Sequence, residues 1–144
     1  MKKRLDTLLK VVRYYGSPDG EYNYCATCPQ MTEYKISELQ CGHFIKRGNH
    51  VLKYERNNLM PQCRRCNHFL DGAQDKAAVY ILDRYGTDEL RRLVYTDNDW
   101  LLGRLKEPNR EQIVFYYNYW LQENRFMENQ WSKKLIPKSW EATE

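Results

Sequence analysis

Two Cys-X-X-Cys pairs, Cys25-Ala-Thr-Cys28 and Cys63-Arg-Arg-Cys66, constrain this chain more than any other feature. Each can form a knuckle whose two thiolates point at one metal, and two knuckles supply the four soft ligands of a closed tetrahedral site. Zinc is favoured there on geometry and availability, and an iron–sulfur cluster is the other occupant that four thiolates admit. The plainer alternative is two structural or redox pairs that share no metal. Ligation is preferred over disulfides because the N-terminus, MKKRLDTLLKVV, lacks the long apolar stretch and small-residue cleavage site of an export signal. It reads as a helix, and a reducing, cytoplasmic setting is expected. Cys41 is left over, as a small buried residue or a free thiol.

A chain of 144 residues suits a single domain over 1–144 with a modest core. No apolar run approaches the roughly 20 residues that span a bilayer, so no membrane partner is expected. The net charge of +4 says less than its distribution. Residues 41–65 hold Lys46, Arg47, Lys53, Arg56, Arg64 and Arg65 against one acid, Glu55. Such an excess of cations suits a phosphate-rich partner. On charge alone an ordinary solvated surface fits equally well.

Periodicity supplies the elements around the cysteines. Residues 4–15 read as a helix on Leu5, Leu8, Leu9, Val12 and Tyr15, closed by Gly16, with a turn at Ser17-Pro18-Asp19-Gly20. The cysteine-bearing centre is residues 21–72. Within it 34–46 reads as strand or hairpin, and a short helix runs from about Arg64 to Gly72. A helical extension, 73–132, follows. Its first helix covers Gln74 to Tyr85, and Thr87 caps a short one through Val94. The segment 95–107 is ambiguous. Pro108 opens the longest helix, 109–130, with Ile113, Tyr117, Trp120 and Leu121 on one face. Its aromatics are read as core in preference to base-stacking groups. The tail after Lys133 is expected to be poorly ordered.

The segment between the knuckles carries more than a zinc ribbon needs. His43 ends the apolar run Leu39-Gln-Cys-Gly-His-Phe-Ile45, the basic loop Lys46-Arg-Gly-Asn-His50 follows, and Asn58 precedes the second knuckle by five residues. Asn67 and His68 lie directly after Cys66. A histidine, an asparagine, and an Asn or His in this order form the HNH signature. Phosphodiester hydrolysis needs a base near neutrality, which imidazole supplies, and a divalent cation to stabilise the charged phosphorane and the leaving oxygen. His43 is the candidate base and Asn58 the candidate loop organiser. Asn67 and His68 are the candidate ligands of a magnesium or manganese ion. Glu38 and Asp71 are further ligand candidates. Many HNH enzymes carry a metal-binding aspartate just before the first histidine; Gly42 stands there in this chain, so the ion would keep several waters. Lys46, Arg47, His50, Lys53, Arg56, Arg64 and Arg65 are the expected DNA contacts, the last two to phosphates rather than bases.

The stretch from Cys25 to about Gly86 resembles the bacteriophage NinG/Rap recombination protein family, a branch of the HNH nucleases. The matching pieces are Leu39-Gln-Cys-Gly-His-Phe-Ile45, Arg47-Gly-Asn-His50, Tyr54-Glu-Arg-Asn57, Gln62-Cys-Arg-Arg-Cys-Asn67 and Tyr85-Gly86. The resemblance implies an α+β fold with a zinc-stapled ββα-metal core between N- and C-terminal helices. It implies a DNA endonuclease of phage recombination in the bacterial host's cytoplasm, acting on branched or junction DNA, with a homodimer among the possible assemblies. The rival expectations are a zinc-ribbon protein that binds DNA without cutting it, and a protein-interaction module that zinc merely staples.

Overall fold

The structure is a computed structural model that describes residues 1–29 and 32–144. Gln30 and Met31, inside the expected centre 21–72, lie outside the described residues. The architecture is α+β, with helices around two small antiparallel hairpins.

The N-terminal helix is realised in two pieces. Helix α1 spans Lys2–Leu8, and the chain then tightens into a 3-10 helix, Leu9–Tyr14. At three residues per turn, positions three apart stand in line. Two adjacent rows, Leu8-Val11-Tyr14 and Leu9-Val12-Tyr15, are therefore both buried. One segment can thus pack on the central hairpin and on the long C-terminal helix together. Gly16, at a φ of 85°, ends it.

Strand β1, Tyr22–Tyr24, pairs with β2, Glu33–Lys35. Strand β3, Leu39–His43, pairs with β4, Leu59–Cys63, in the register Leu39↔Cys63 to His43↔Leu59. The expected strand or hairpin over 34–46 is thus divided by a 3-10 turn, Ile36–Glu38, and belongs to two different sheets. The expected helix from Arg64 to Gly72 is a short π helix, Arg65–Phe69, with Asp71 in the left-handed region at a φ of 52°.

Helix α2 runs over Gln74–Tyr85 as expected, and Gly86 closes it. The next helix is longer than the sequence suggests: α3 spans Thr87–Leu101, and its cap is Gly86 rather than Thr87. Tyr95-Thr-Asp-Asn-Asp has weak intrinsic preference for helix, and the loop after β3 meets the segment, Asn49 donating to Asp97 Oδ1 at 3.0 Å and the His50 ring packing on Trp100. Helix α4, Arg110–Trp131, opens with a reciprocal cap. Gln112 N donates to Asn109 Oδ1 at 2.9 Å, and Asn109 N donates to Gln112 Oε1 at 2.8 Å. Ile113, Tyr117, Trp120 and Leu121 are buried against α1 and the 3-10 helix, as their spacing predicts. The tail after Lys133 is docked, contrary to expectation. Ile136 is buried, Asn118 bonds Thr143 at both its amide atoms, and Arg125 donates to the carbonyls of Pro137 and Trp140. None of these partners has a local sequence signature. Among the described residues no helix is long and apolar enough to cross a membrane.

Candidate metal centre and adjoining cleft

The two knuckles meet because β1 leads into the first and β4 ends in the second. Ala26 N donates to Pro61 O at 2.8 Å, which ties the first knuckle to the side of β4. The four sulfurs of Cys25, Cys28, Cys63 and Cys66 lie within 4.8 Å of one another, and Cys28 Sγ stands 3.7 Å from Cys63 Sγ and 3.9 Å from Cys66 Sγ. Bonds of 2.3 Å from a tetrahedral zinc place sulfurs about 3.8 Å apart. The donor set and its spacing therefore fit a closed structural metal site. Cys66 N donates to Cys63 Sγ, and the Tyr34 hydroxyl lies 3.4 Å from Cys28 Sγ. Burial raises the Cys28 thiol. It acts in the same direction on Cys63, but hydrogen bonds from Cys66 N and Tyr34 outweigh it and bring that thiol down to about 7. The fifth cysteine, Cys41, is half-buried against the core of α1 and α4, and burial pushes its thiol up to about 12.

Beside this centre, along the free edge of β3, lies a cleft of about 810 Å³. Four segments build it. Asp6, Lys10 and Arg13 come from the N-terminal helices, Gln40, Cys41 and His43 from β3, Lys46 and Arg47 from the loop after β3, and Asn67, His68 and Asp71 from the turn after β4. His43, Asn67, His68, Lys46 and Arg47 thus share one cleft.

His43 sits where β3 enters the loop 44–58. Its Nε2 lies 3.0 Å from Lys53 O. A carbonyl only accepts, so Nε2 carries the proton and Nδ1 is the unprotonated nitrogen. Burial is the main reason that the imidazole is pushed down to about 4. The Lys53 carbonyl opposes that shift, and the cations of Arg47 and Lys53 add to it. The ring is neutral throughout the physiological range.

Asn58, fully buried, holds the loop that makes this possible. Ile45 N donates to its Oδ1 at 2.7 Å, and its Nδ2 donates to Ile45 O at 2.9 Å and Leu52 O at 3.1 Å. Trp120 Nε1 donates to Tyr54 O at 2.9 Å, next in sequence to the carbonyl that His43 uses. The loop's path is therefore fixed from inside by Asn58 and from α4 by Trp120.

The hard-ligand set is sparse. A Cβ at Gly42 would stand 1.9 Å from Gln62 Oε1. Gln62 is buried and donates to Thr27 Oγ1 and Gly72 O. It fills the space that an aspartate before the histidine would need. Asn67 donates to Gln40 Oε1 at 2.7 Å, which leaves its own carbonyl oxygen uncommitted to that bond. His68 is exposed, with its ring edge against Phe69. Asp71 is paired to Lys46 at 2.5 Å. Glu38 lies outside the cleft and accepts from Lys35 N. Among the described residues the cysteine cluster is the only group of three or more His, Cys, Asp or Glu close enough to hold a metal.

The other expected DNA contacts are placed elsewhere. His50 Nδ1 meets Glu107 at 2.6 Å, and its ring packs on Trp100. Lys53 pairs with Asp6 at 3.5 Å, and Arg56 pairs with Glu123 at 3.1 Å over the Tyr15 ring. Arg64 lies over Phe69, and Arg64 and Arg65 are exposed outside the cleft. Proximity in sequence grouped these residues; in the fold only Lys46 and Arg47 of the expected contacts line the cleft. Asp6, Lys10 and Arg13 also line the cleft and were not among the residues the sequence singled out. Their spacing of four and three is a polar stripe on the helix read from its apolar side, so the signal was present but unassigned.

A protein-family model described as Bacteriophage Lambda NinG protein matches residues 6–123. No curated protein and no solved structure matches the chain.

Proposed function

On the premise that this chain belongs to the bacteriophage Lambda NinG protein family, whose pattern spans most of its length, we propose that it is a metal-dependent endonuclease of the HNH kind. It hydrolyses DNA phosphodiesters in the cleft beside the cysteine centre, on branched or recombination-intermediate DNA. Zinc at Cys25, Cys28, Cys63 and Cys66 staples the fold and takes no part in the chemistry.

The observation that carries the reading is His43. It has a carbonyl-fixed tautomer, a depressed pKa and a place in a cleft with Lys46, Arg47, Asn67 and His68. Nδ1 is the atom that takes the proton of the attacking water as its oxygen bonds to phosphorus and the bond to the leaving oxygen breaks. Arg47, which has no carboxylate partner among the described residues, holds the phosphate. Lys46 is shared between the phosphate and Asp71. Asn58 and Trp120 position the imidazole through the loop backbone. A magnesium or manganese ion at Asn67 and His68 would supply charge stabilisation in the transition state, and with so few hard ligands it would retain most of its water.

Nicking of supercoiled plasmid by the zinc-loaded protein tests the reading. Cutting with added magnesium or manganese and none with chelator is expected. The sparse ligand set favours one rival, a zinc-bearing protein that binds DNA without cutting it. Salt-sensitive DNA binding with no nicking under either metal would establish that rival instead.

A further inference from the structure

The surface that holds His43 does not stop at Arg13. A second depression, of about 400 Å³, shares Arg13 and Ser37 with the first and extends past Tyr22 and Lys35. Tyr22 and Lys35 are directly opposite one another in the β1–β2 register, so their side chains stand on one face of that hairpin. Tyr22 is 40% exposed and lines this depression. Among the described residues Lys10, Arg13, Lys35 and Arg47 form no ion pair, while Lys46 and Lys133, also in these depressions, each face a carboxylate. Four cations without a carboxylate partner therefore line the two depressions, and the second also holds the partly exposed ring of Tyr22.

Phosphate contacts alone would suit duplex or single strand. The aromatic separates them. In a duplex the base faces are already stacked, and an exposed ring finds no partner. In a single strand every base offers a face, and a basic groove with an aromatic platform is the arrangement that binds it. The depression is of a size that takes one small ligand, and a duplex does not enter it. We propose that this second depression binds a single-stranded segment of nucleic acid continuing from the phosphate held beside His43, with Tyr22 stacking on a base and Arg13 and Lys35 on the flanking phosphates. The proposal rests on the nuclease reading for the position of that phosphate, and it narrows the substrate to DNA with an unpaired strand at the cut.

The test is fluorescence anisotropy without added magnesium or manganese, using labelled oligothymidylate and a blunt duplex of the same length. Tyr22→Ala is expected to weaken oligothymidylate binding roughly five- to a hundredfold, with duplex binding within about twofold of the parent and zinc content unchanged. Tyr22→Phe keeps the ring and should bind as the parent does. Lys35→Ala should make the single-strand salt slope shallower by about 0.7. Parental oligothymidylate affinity in Tyr22→Ala overturns the proposal, as does an equal loss for both ligands. If the parent nonetheless nicks plasmid, the nuclease reading survives that result. A parent protein that binds neither ligand overturns both.

Discussion

The cysteine centre and the His43 cleft share one hairpin, yet they are built in opposite ways. The centre is made of two local knuckles, four like ligands, and sulfur spacings that fit one ion. The cleft is assembled from several segments, and its histidine, half-buried at the end of β3, is held neutral by desolvation. The first arrangement is a closed site that contributes to folding. The second leaves an unprotonated nitrogen in an open cleft, the kind of perturbed group that marks a candidate site for chemistry. Side by side, they separate what holds this protein together from what it is proposed to do.

The largest effect is expected from breaking the centre. Cys66→Ser should abolish tight zinc binding and most of the folded structure, because binding and folding are coupled. Elemental analysis and circular dichroism check this. A variant that folds without metal would make the centre dispensable and erase the contrast.

Asn58→Ala comes next. It removes three buried hydrogen bonds and leaves the Ile45 N–H and two carbonyls without partners. A loss of about 2–4 kcal/mol is expected in denaturant unfolding, with zinc retained in the folded fraction. A loss below about 1 kcal/mol would mean that the loop is held from α4 alone.

The smallest effect is a pH dependence. The folded imidazole of His43 titrates at about 4 and the unfolded one at an ordinary 6.5. The unfolded state therefore binds more protons in that window. Stability due to this group is complete above 6.5 and is lost as pH falls from 6.5 to 4. Unfolding midpoints of His43→Asn should lack that fall. Equal slopes in parent and variant would show that the imidazole is not buried.

What the sequence revealed follows the same division. Cys25, Cys28, Cys63 and Cys66 were legible because a knuckle is local, and the faces of α1, α2 and α4 were legible because a helix repeats. His43, Asn58 and Asn67 were legible as an ordered motif, but not the partners that define them. Nothing in the chain announces that Lys53 supplies a carbonyl to His43 or that Trp120 braces the same loop from 66 residues beyond Tyr54. The cations of 41–65 were grouped by nearness in sequence, and of them only Lys46 and Arg47 line the cleft. A long loop turns its charges in several directions, and distant carboxylates, Asp6 and Glu123, pair with Lys53 and Arg56. The docked tail was missed because its anchors, Asn118 and Arg125, lie on a helix whose other face carried the visible pattern.

The most direct test of the central claim is the cleavage rate of zinc-loaded His43→Ala beside the parent, at matched DNA occupancy. General-base catalysis is worth on the order of 10²–10⁴-fold. The account predicts a loss of that size with zinc content and DNA affinity near the parent's. A folded, zinc-loaded variant that cuts at the parental rate would contradict it and move the base to another group.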